Sequence, residues 1–239
     1  MDKIKYILWD IDGTLINFKL AEAAALKECY SRFGFGEFND ELLAEYKAIN
    51  DDYWKKIEEG TIDKRKALVL RFEDFFRIHN IDTSKASEFN QAYQIAMGEV
   101  VIFNPNAKEA VEACKGKYKQ YAASNGTLEA QTRKLSKSGL TKLLDDYFIS
   151  EQVGAEKPSK DFFEYIFKAL GSNDPEEYII IGDSLTSDIK GGKNVGIKTC
   201  WYNPSGKENK SDVVPDYEIK DLIQVIDLFP LRRDERSFE

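Results

Sequence analysis

Short apolar runs alternate with helix-like stretches along the second half of the chain. Each run is three to five residues long and contains β-branched or aromatic residues, which is typical of buried strands. Alternation of such strands with helices predicts a parallel sheet that is covered by helices on both faces, a doubly wound α/β fold. The predicted strands are residues 4–9, 120–124, 147–149, 178–181 and 198–201.

The first two predicted strands are too far apart for an ordinary crossover. Strand 4–9 and strand 120–124 are separated by residues 10–119, whereas a connection between parallel strands needs only about a dozen residues. The intervening segment shows helical periodicity, which predicts an inserted helical domain whose apolar stripes form its own core. These stripes contain Leu43, Tyr46, Ile49, Tyr53 and Ile57, and then Phe72, Phe75, Phe76, Phe89 and Tyr93.

Composition excludes several classes of partner. The 239 residues carry a formal net charge of −8, which disfavours binding to nucleic acid or to an anionic membrane surface. No apolar run approaches the roughly 20 residues of a membrane span, so we expect a cytoplasmic protein. Cys29, Cys114 and Cys200 lack metal-ligand spacing and are interpreted as packing residues. The charged end "LRRDERSFE" is interpreted as a tail.

Polar residues follow the predicted strands at the edge where parallel sheets bind ligands. Each has an ordinary interpretation as a turn, a helix cap or a solvated charge. Together they occur in the order expected for one pocket, which favours a functional site. The candidates are Asp10 and Asp12, then Ser124 and Asn125, then Lys157, and finally Asp183 and Asp188.

Clustered carboxylates with a lysine and a hydroxyl indicate phosphate chemistry. Acids that lie close together repel one another unless a hard cation such as Mg²⁺ lies among them. Asp10 and Asp12 are two residues apart, so one can attack phosphorus while the other transfers protons. Lys157 and Ser124 would stabilise the oxygens of the transferred phosphoryl group.

Other phosphate chemistries are disfavoured by the sequence. A cysteine nucleophile requires Arg six residues later, but those positions hold Phe35, Gln120 and Gly206. The single histidine, His79, lies in the helical insert and is expected at a solvated helix end. The stretch "GGKN" lacks the remainder of a P-loop and is interpreted as a helix end.

The motifs "DIDGT", "ASNG", "EKPS" and "GDSLTSD" resemble, in order, the four motifs of the haloacid dehalogenase-like (HAD) hydrolase superfamily. The resemblance implies a Rossmann-like core of residues 1–15 and 101–239, with a small helical cap at residues 16–100. It implies Asp10 as the nucleophile that forms an aspartyl-phosphate and Asp12 as general acid and then base. Ser124 and Lys157 would bind the substrate phosphate, and Asn125 would also bind substrate. Asp10, Asp183 and the backbone carbonyl of Asp12 would bind Mg²⁺, with Asp188 acting behind them.

Sequence stretches outside the four motifs narrow the range of expected substrates. "LINF", "WKKIEEGTI" and "IKTCWYNP" resemble the branch of pyrimidine and non-standard nucleoside 5′-monophosphate phosphatases. Phe18, Tyr53 and Trp54 offer faces on which a nucleobase could stack, or they simply pack the insert. The expected partner is a small phosphorylated metabolite, and the expected assembly is a monomer or a weak homo-oligomer.

Alternatives remain within and outside this chemistry. A sugar-phosphate phosphatase or phosphomutase would share the same site. A dehalogenase or a catalytically silent binding module belongs to a different class. Asp12 disfavours a dehalogenase, because dehalogenases of this fold lack an acid at that position. The complete set of polar residues disfavours a binding module, which has no need of all of them.

Overall fold

The computed structural model describes residues 3–228, so the predicted tail at residues 231–239 lies outside the described residues. Six parallel strands form one sheet in the order β3-β2-β1-β4-β5-β6. This arrangement confirms the predicted doubly wound α/β fold. The strands are β1 (Tyr6–Trp9), β2 (Lys119–Ser124), β3 (Asp146–Ile149), β4 (Tyr178–Gly182), β5 (Lys198–Tyr202) and β6 (Tyr217–Ile219).

The five predicted strands are present, and the sixth was missed. β6 spans only three residues, YEI, with a charged residue in the middle, so it has no apolar run of its own. Its pairing with β5, in which Cys200 lies opposite Tyr217, makes it a strand. Local sequence therefore specified the buried strands, whereas the edge strand depends on its neighbour.

The centre of the sheet is apolar on both faces. β4 is buried over all five residues, and in β1 only Tyr6 is partly exposed. The indole of Trp9 donates a 2.9 Å hydrogen bond to the buried Gln120 side chain, whose own amide donates to the Val111 carbonyl. β1 and β2 are thus held together by a side-chain bond as well as by their backbone ladder, and their carboxyl ends lie side by side.

The chain packs as two compact units. The sheet unit contains Met1–Asn17, Phe103–Asn125 and Gly139–Glu239, and the helical unit contains Phe18–Ile102 and Gly126–Ser138. The helices of the sheet unit are α5 (Ala107–Cys114), α7 (Ser150–Val153), α8 (Lys160–Leu170), α9 (Lys190–Val195) and α10 (Val225–Leu228). Those of the helical unit are α1 (Phe18–Arg32), α2 (Asp40–Glu58), α3 (Lys64–Ile78), α4 (Ala86–Glu99) and α6 (Leu128–Ser138).

Helix α6 packs with the helical unit, a difference from the predicted boundaries, which assigned it to the core. Gly98 of α4 allows the close approach: a Cβ at that position would lie 2.8 Å from the Cβ of Arg133 on α6. The role of residues 16–100 as a cap stays a prediction.

The predicted helical stripes form the core of the helical unit. Tyr46, Phe72 and Phe76 are fully buried, while Leu43 and Ile49 pack at the margin. Asn39 and Asp63 cap α2 and α3 by accepting bonds from the backbone N–H groups of Leu42 and Lys66, which explains where these helices begin. None of the described helices is long and apolar enough to cross a membrane.

Two side-chain predictions were tested by this packing. The three cysteines are unpaired and buried, as predicted for packing residues. His79 lies at the end of α3 as predicted, but the expectation that it is solvated was wrong. Its ring is half-buried because it packs on Phe75 at 4.6 Å between centroids, and its Nε2 lies 2.9 Å from a Glu45 carboxylate oxygen.

Candidate active site

Three adjacent strands deliver polar residues to one edge of the sheet. Asp10 follows β1, Ser124 ends β2 and Asp183 follows β4, and these strands are neighbours in the order β2-β1-β4. The Asp10 N–H donates to the Ile181 carbonyl at 2.9 Å, so the ladder continues one residue past the strand. The position where strand order reverses is where sheets of this type form a ligand crevice.

Lys157 is the centre of the site. Its ammonium donates to Asp10 Oδ1 at 2.9 Å, to Asp188 Oδ1 at 2.7 Å and to the Ala123 carbonyl at 2.5 Å. These three bonds use all three protons of the ammonium group. The sequence predicted Lys157 as a phosphate ligand; in this geometry it also neutralises and orients Asp10.

The electrostatics follow from burial and charge. Burial alone would lower the pKa of Lys157, but attraction to Asp10 and Asp188 outweighs it and raises the pKa above its ordinary value. Burial, assisted by repulsion from Asp188, raises the pKa of Asp10 well above that of a free aspartate, while Lys157 opposes this rise. Lys157 is therefore held charged, while the Asp10 carboxyl binds its proton more tightly than a free aspartate does.

Three carboxylates converge closely enough to hold a cation. One oxygen from each of Asp10, Asp183 and Asp188 lies within 4.8 Å of the others. The Asp183 residue is exposed to solvent on one side, yet surrounding protein and repulsion from Asp188 raise its pKa to about 7. All-oxygen donors whose mutual repulsion is only partly offset by Lys157 fit a hard divalent cation such as Mg²⁺.

Two glycines make this convergence possible. Gly13 has φ of +98°, and a Cβ there would lie 2.5 Å from Asp183 Oδ2. A Cβ on Gly182 would lie 2.2 Å from Asp188 Oδ2. Side chains at either position would displace a carboxylate of the cluster.

The loop after β1 holds Asp12 and a residue that sequence reasoning missed. Asp12 is half-buried, and its charge contributes to the raised pKa of Asp183, so it lies near the cluster. Thr14, fully buried, donates from Oγ1 to Asp10 Oδ2 at 2.9 Å. Asp10 therefore accepts one bond on each carboxylate oxygen, from Thr14 and from Lys157. The threonine in "DIDGT" was the only signal available in the sequence.

Asn104 fixes this loop from a distant part of the chain. Its side-chain amide donates to the carbonyls of Gly13 and Thr14 at 2.9 and 2.8 Å. Its backbone N–H donates to the Leu15 carbonyl at 3.0 Å. Asn104 is therefore a positioning residue for Asp12 and Thr14, and no local motif marks it.

Asn125 holds the loop that carries Lys157. Its Nδ2 donates to the Lys157 carbonyl and its Oδ1 accepts from the Lys157 N–H, both at 2.8 Å. The side chain was predicted to bind substrate; the geometry gives it a positioning role between two motifs. Ser124, 2% exposed, lies at the carboxyl end of β2, one residue before it.

The last motif folds into one turn of π-helix, Leu185–Ile189, that places Asp188. Ser184 donates from its N–H to Asp188 Oδ2 at 3.1 Å and accepts from the Ser187 N–H through its side chain. The Trp201 indole donates to the Asp183 carbonyl at 2.9 Å, which fixes the start of this turn. Asp188 thus contacts Lys157, and its role behind the metal ligands stays a prediction.

Fold and site together define a doubly wound α/β protein with an acid cluster at the ligand edge of its sheet, and comparison with known proteins identifies the family. The profile of haloacid dehalogenase-like hydrolases matches residues 4–196, so the chain belongs to this family. Pyrimidine 5′-nucleotidase PynA of Streptococcus pneumoniae is 34% identical over 227 residues, covering 93% of this chain and 95% of that protein. Pyrimidine 5′-nucleotidase YjjG of Escherichia coli is 30% identical, with coverage of 92% and 95%.

A solved structure agrees with this assignment. The HAD-hydrolase YfnB from Bacillus subtilis, crystallised with magnesium, matches with a TM-score of 0.88 at 31% identity, covering 95% of this chain and 98% of that one. The predicted family, the α/β fold and the predicted enzyme class, a phosphoric monoester hydrolase, are therefore confirmed.

The aromatic residues considered for base stacking have packing roles in the helical unit. Tyr53 is buried, and its hydroxyl donates to Asp74 at 2.7 Å. Phe18 packs against the main core of the unit. Trp54 is half-buried, with the Lys64 ammonium 5.9 Å from its ring centroid. Trp54 also packs against the apolar cluster of Tyr53, Ile57 and Ala67, so all three aromatic residues have packing partners within the helical unit.

Proposed function

We propose that the protein is a magnesium-dependent 5′-nucleotidase that hydrolyses pyrimidine nucleoside monophosphates through an aspartyl-phosphate on Asp10. The observation that carries the mechanism is the double anchoring of Asp10 by Lys157 and Thr14, which fixes both carboxylate oxygens. A carboxylate held in this way loses little orientational freedom when it reaches the transition state.

The first half-reaction joins Asp10 to phosphorus. A carboxylate oxygen of Asp10 attacks the phosphorus, the bond from phosphorus to the 5′ oxygen breaks, and Asp12 donates its proton to that leaving oxygen. Lys157 opposes the rise in the pKa of Asp10, and together with Thr14 it aligns the carboxylate for this attack. The products are the free nucleoside and a phosphorylated Asp10.

The second half-reaction restores the enzyme. Asp12, now ionised, takes a proton from water as the water oxygen attacks phosphorus. The bond between phosphorus and the Asp10 oxygen breaks, inorganic phosphate leaves, and Asp10 and the protonated Asp12 are regenerated. Asp12 thus acts as acid and base in turn.

Asp10, Asp183 and the Asp12 carbonyl are the proposed Mg²⁺ ligands, with Asp188 behind them. When bound, the ion supplies positive charge that offsets the carboxylates and the substrate phosphate. Ser124 is proposed to donate its hydroxyl to a phosphoryl oxygen. Asn125 is proposed to hold the loop that carries Lys157, whose ammonium supplies positive charge beside the same phosphoryl group.

The choice of substrate is supported by the relatives named as pyrimidine 5′-nucleotidases, which align over more than nine-tenths of the chain. A sugar-phosphate phosphatase of the same mechanism is the alternative. A phosphate-release screen separates them. We expect pyrimidine nucleoside monophosphates to have a higher kcat/KM than purine monophosphates or hexose phosphates, and chelation to abolish activity until Mg²⁺ is restored. Hexose phosphates exceeding every pyrimidine monophosphate would favour the alternative.

Two variants test the mechanism itself. Asp10→Asn should abolish turnover and prevent formation of a phosphoenzyme. Asp12→Asn should reduce kcat by about 10²–10⁴-fold, the usual contribution of a general acid–base group. Wild-type turnover by Asp10→Asn would show that another residue is the nucleophile.

A further inference from the structure

A cavity lies at the opposite edge of the sheet from Asp10. It has a volume of about 450 Å³ and is lined by the residues that lead into β1 and β2. Lys5 precedes β1, Lys119 begins β2, and the Lys119 N–H donates to the Lys5 carbonyl at 2.9 Å. All of its lining residues belong to the sheet unit, so the cavity exists within one packed body.

Positive charge is concentrated in this cavity. Five of its twelve lining residues are lysines, and Asp145 is the only acid among the twelve. The whole chain, by contrast, has 34 Lys and Arg against 42 Asp and Glu. All five lysines are exposed, and a cleft lined by one sign of charge raises the local concentration of oppositely charged ligands. The five are Lys5, Lys115, Lys117, Lys119 and Lys142.

Internal ion pairs neutralise only part of this charge. Lys5 pairs with Glu177, and Lys119 pairs with Asp145 at 2.7 Å. The ion pairs among residues 3–228 do not include Lys115, Lys117 or Lys142. Lys115 donates to the Lys142 carbonyl at 2.7 Å, which keeps its ammonium beside the loop that carries Lys142. Three lysines therefore remain as the net positive charge of the cavity.

The turn between α5 and β2 presents two of these lysines. The segment 115–119 reads "KGKYK", and Gly116 has φ of +77°. A Cβ on Gly116 would meet no atom within 4 Å, so the turn opens toward solvent. Lys115 and Lys117 flank this glycine and are exposed, and the half-buried Tyr118 adds an aromatic wall.

We propose that this cavity binds a small molecule that carries two or more linked phosphate groups, either a nucleoside polyphosphate or inorganic polyphosphate. The volume lies within the range of small-molecule sites, which disfavours a macromolecular partner. Lysines act as point charges on flexible stems and suit phosphate oxygens, and three uncompensated ammonium groups match the charge of a short polyphosphate better than that of one monoester. The site is separate from the acid cluster.

Titration calorimetry with CTP and with tripolyphosphate, each in the presence of a chelator, tests this proposal. The double variant Lys117→Gln/Lys142→Gln should weaken binding by about tenfold or more, because each lost charge-assisted hydrogen bond contributes about a factor of ten. The control Lys27→Gln/Lys210→Gln changes net charge equally at exposed positions outside the cavity and should alter the Kd by less than about twofold.

The two probes distinguish the sources of the ligand. If CTP binds and tripolyphosphate does not, the ligand is a nucleotide. If tripolyphosphate binds, the polyphosphate chain is sufficient for recognition. Either result supports the site if the cavity variant binds the probe more weakly than the control variant does. Both double variants should keep the wild-type kcat/KM for a monophosphate substrate, so this test is independent of the catalytic proposal. Equal binding by the two variants, or no binding of either probe below about 1 mM, would overturn the proposal.

Discussion

Lys157 Nζ lies 2.7 Å from Asp188 Oδ1, and both side chains are 1% exposed. A buried ion pair contributes little net stability compared with an apolar pair, but removal of one partner leaves an uncompensated charge in the interior. Here removal of the lysine would leave both Asp188 and Asp10 without their counter-charge.

Lys157→Met should therefore destabilise the metal-free protein by about 3 kcal/mol at pH 7, as measured by urea denaturation. The matched control is Lys56→Met, which breaks an exposed pair of 2.6 Å with Asp52 and should cost about 1 kcal/mol or less. Lowering the pH should reduce the difference, because the stranded carboxylates can then take up protons. Equal losses in the two variants would show that the buried network does not stabilise the fold.

Thr14→Val should lower kcat by about tenfold, because it removes a hydrogen bond to the charged carboxylate of Asp10 while preserving side-chain shape. Thr14→Ser retains the hydroxyl and should restore most of the activity. Steady-state kinetics on one monophosphate substrate measure both variants. If Thr14→Ser were as impaired as Thr14→Val, the methyl group, and not the hydrogen bond, would be the important part of the side chain.

The pH dependence of stability should reveal Asp183. Its pKa is about 7 in the folded protein and about 4 in an unfolded chain, so the folded state binds its proton more tightly. The stability this proton contributes is present below pH 4 and is lost as the pH rises to about 7. In chelator, wild-type protein should therefore lose more stability than Asp183→Asn between pH 5 and pH 7.5, as measured by urea denaturation.

Addition of Mg²⁺ to the same wild-type and Asp183→Asn proteins tests whether Asp183 binds the ion. At pH 7.5 the ion should raise the unfolding midpoint of the wild-type protein, because it binds the folded state. Asp183→Asn should show a smaller rise. An identical pH profile in chelator and an identical response to Mg²⁺ would together remove Asp183 from the metal site.

The sequence predicted those parts of the site that are local to a strand end. An apolar run followed at once by an acid placed Asp10 after β1 and Asp183 after β4, since parallel strands bring their carboxyl ends to one edge. The resemblance of four motifs then assigned roles. These inferences need no knowledge of packing, which is why they were accessible from the chain alone.

The remaining parts depend on contacts between distant segments. Asn104 donates hydrogen bonds to the carbonyls of Gly13 and Thr14, which lie 91 and 90 residues earlier in the chain. Nothing near Asn104 in the sequence indicates these bonds. Asn125 was predicted to bind substrate, which stays a prediction, but its two bonds to the backbone 32 residues further on were not predicted. α6 similarly joined the helical unit through its packing on α4.

Gly13 offers the sharpest test of how the acid cluster is built. Gly13→Ala places a methyl group 2.5 Å from an Asp183 carboxylate oxygen and also strains a backbone with φ of +98°. The contact is too short to be relieved without moving Asp183 or the loop that carries Asp12. We therefore expect a reduction of at least about tenfold in kcat/KM and a higher Mg²⁺ concentration for half-maximal activity, since near 1 Å of displacement in a site can cost more than this.

Gly171→Ala separates the two effects of that substitution. Gly171 has φ of +69°, but a Cβ there would meet no atom within 4 Å, so this variant carries backbone strain without a clash. It should lose about 1 kcal/mol of stability and keep its activity and Mg²⁺ requirement. If Gly13→Ala matched Gly171→Ala in stability, kcat/KM and Mg²⁺ requirement, Asp183 would be free to move without consequence, and the metal site would have to be built without it.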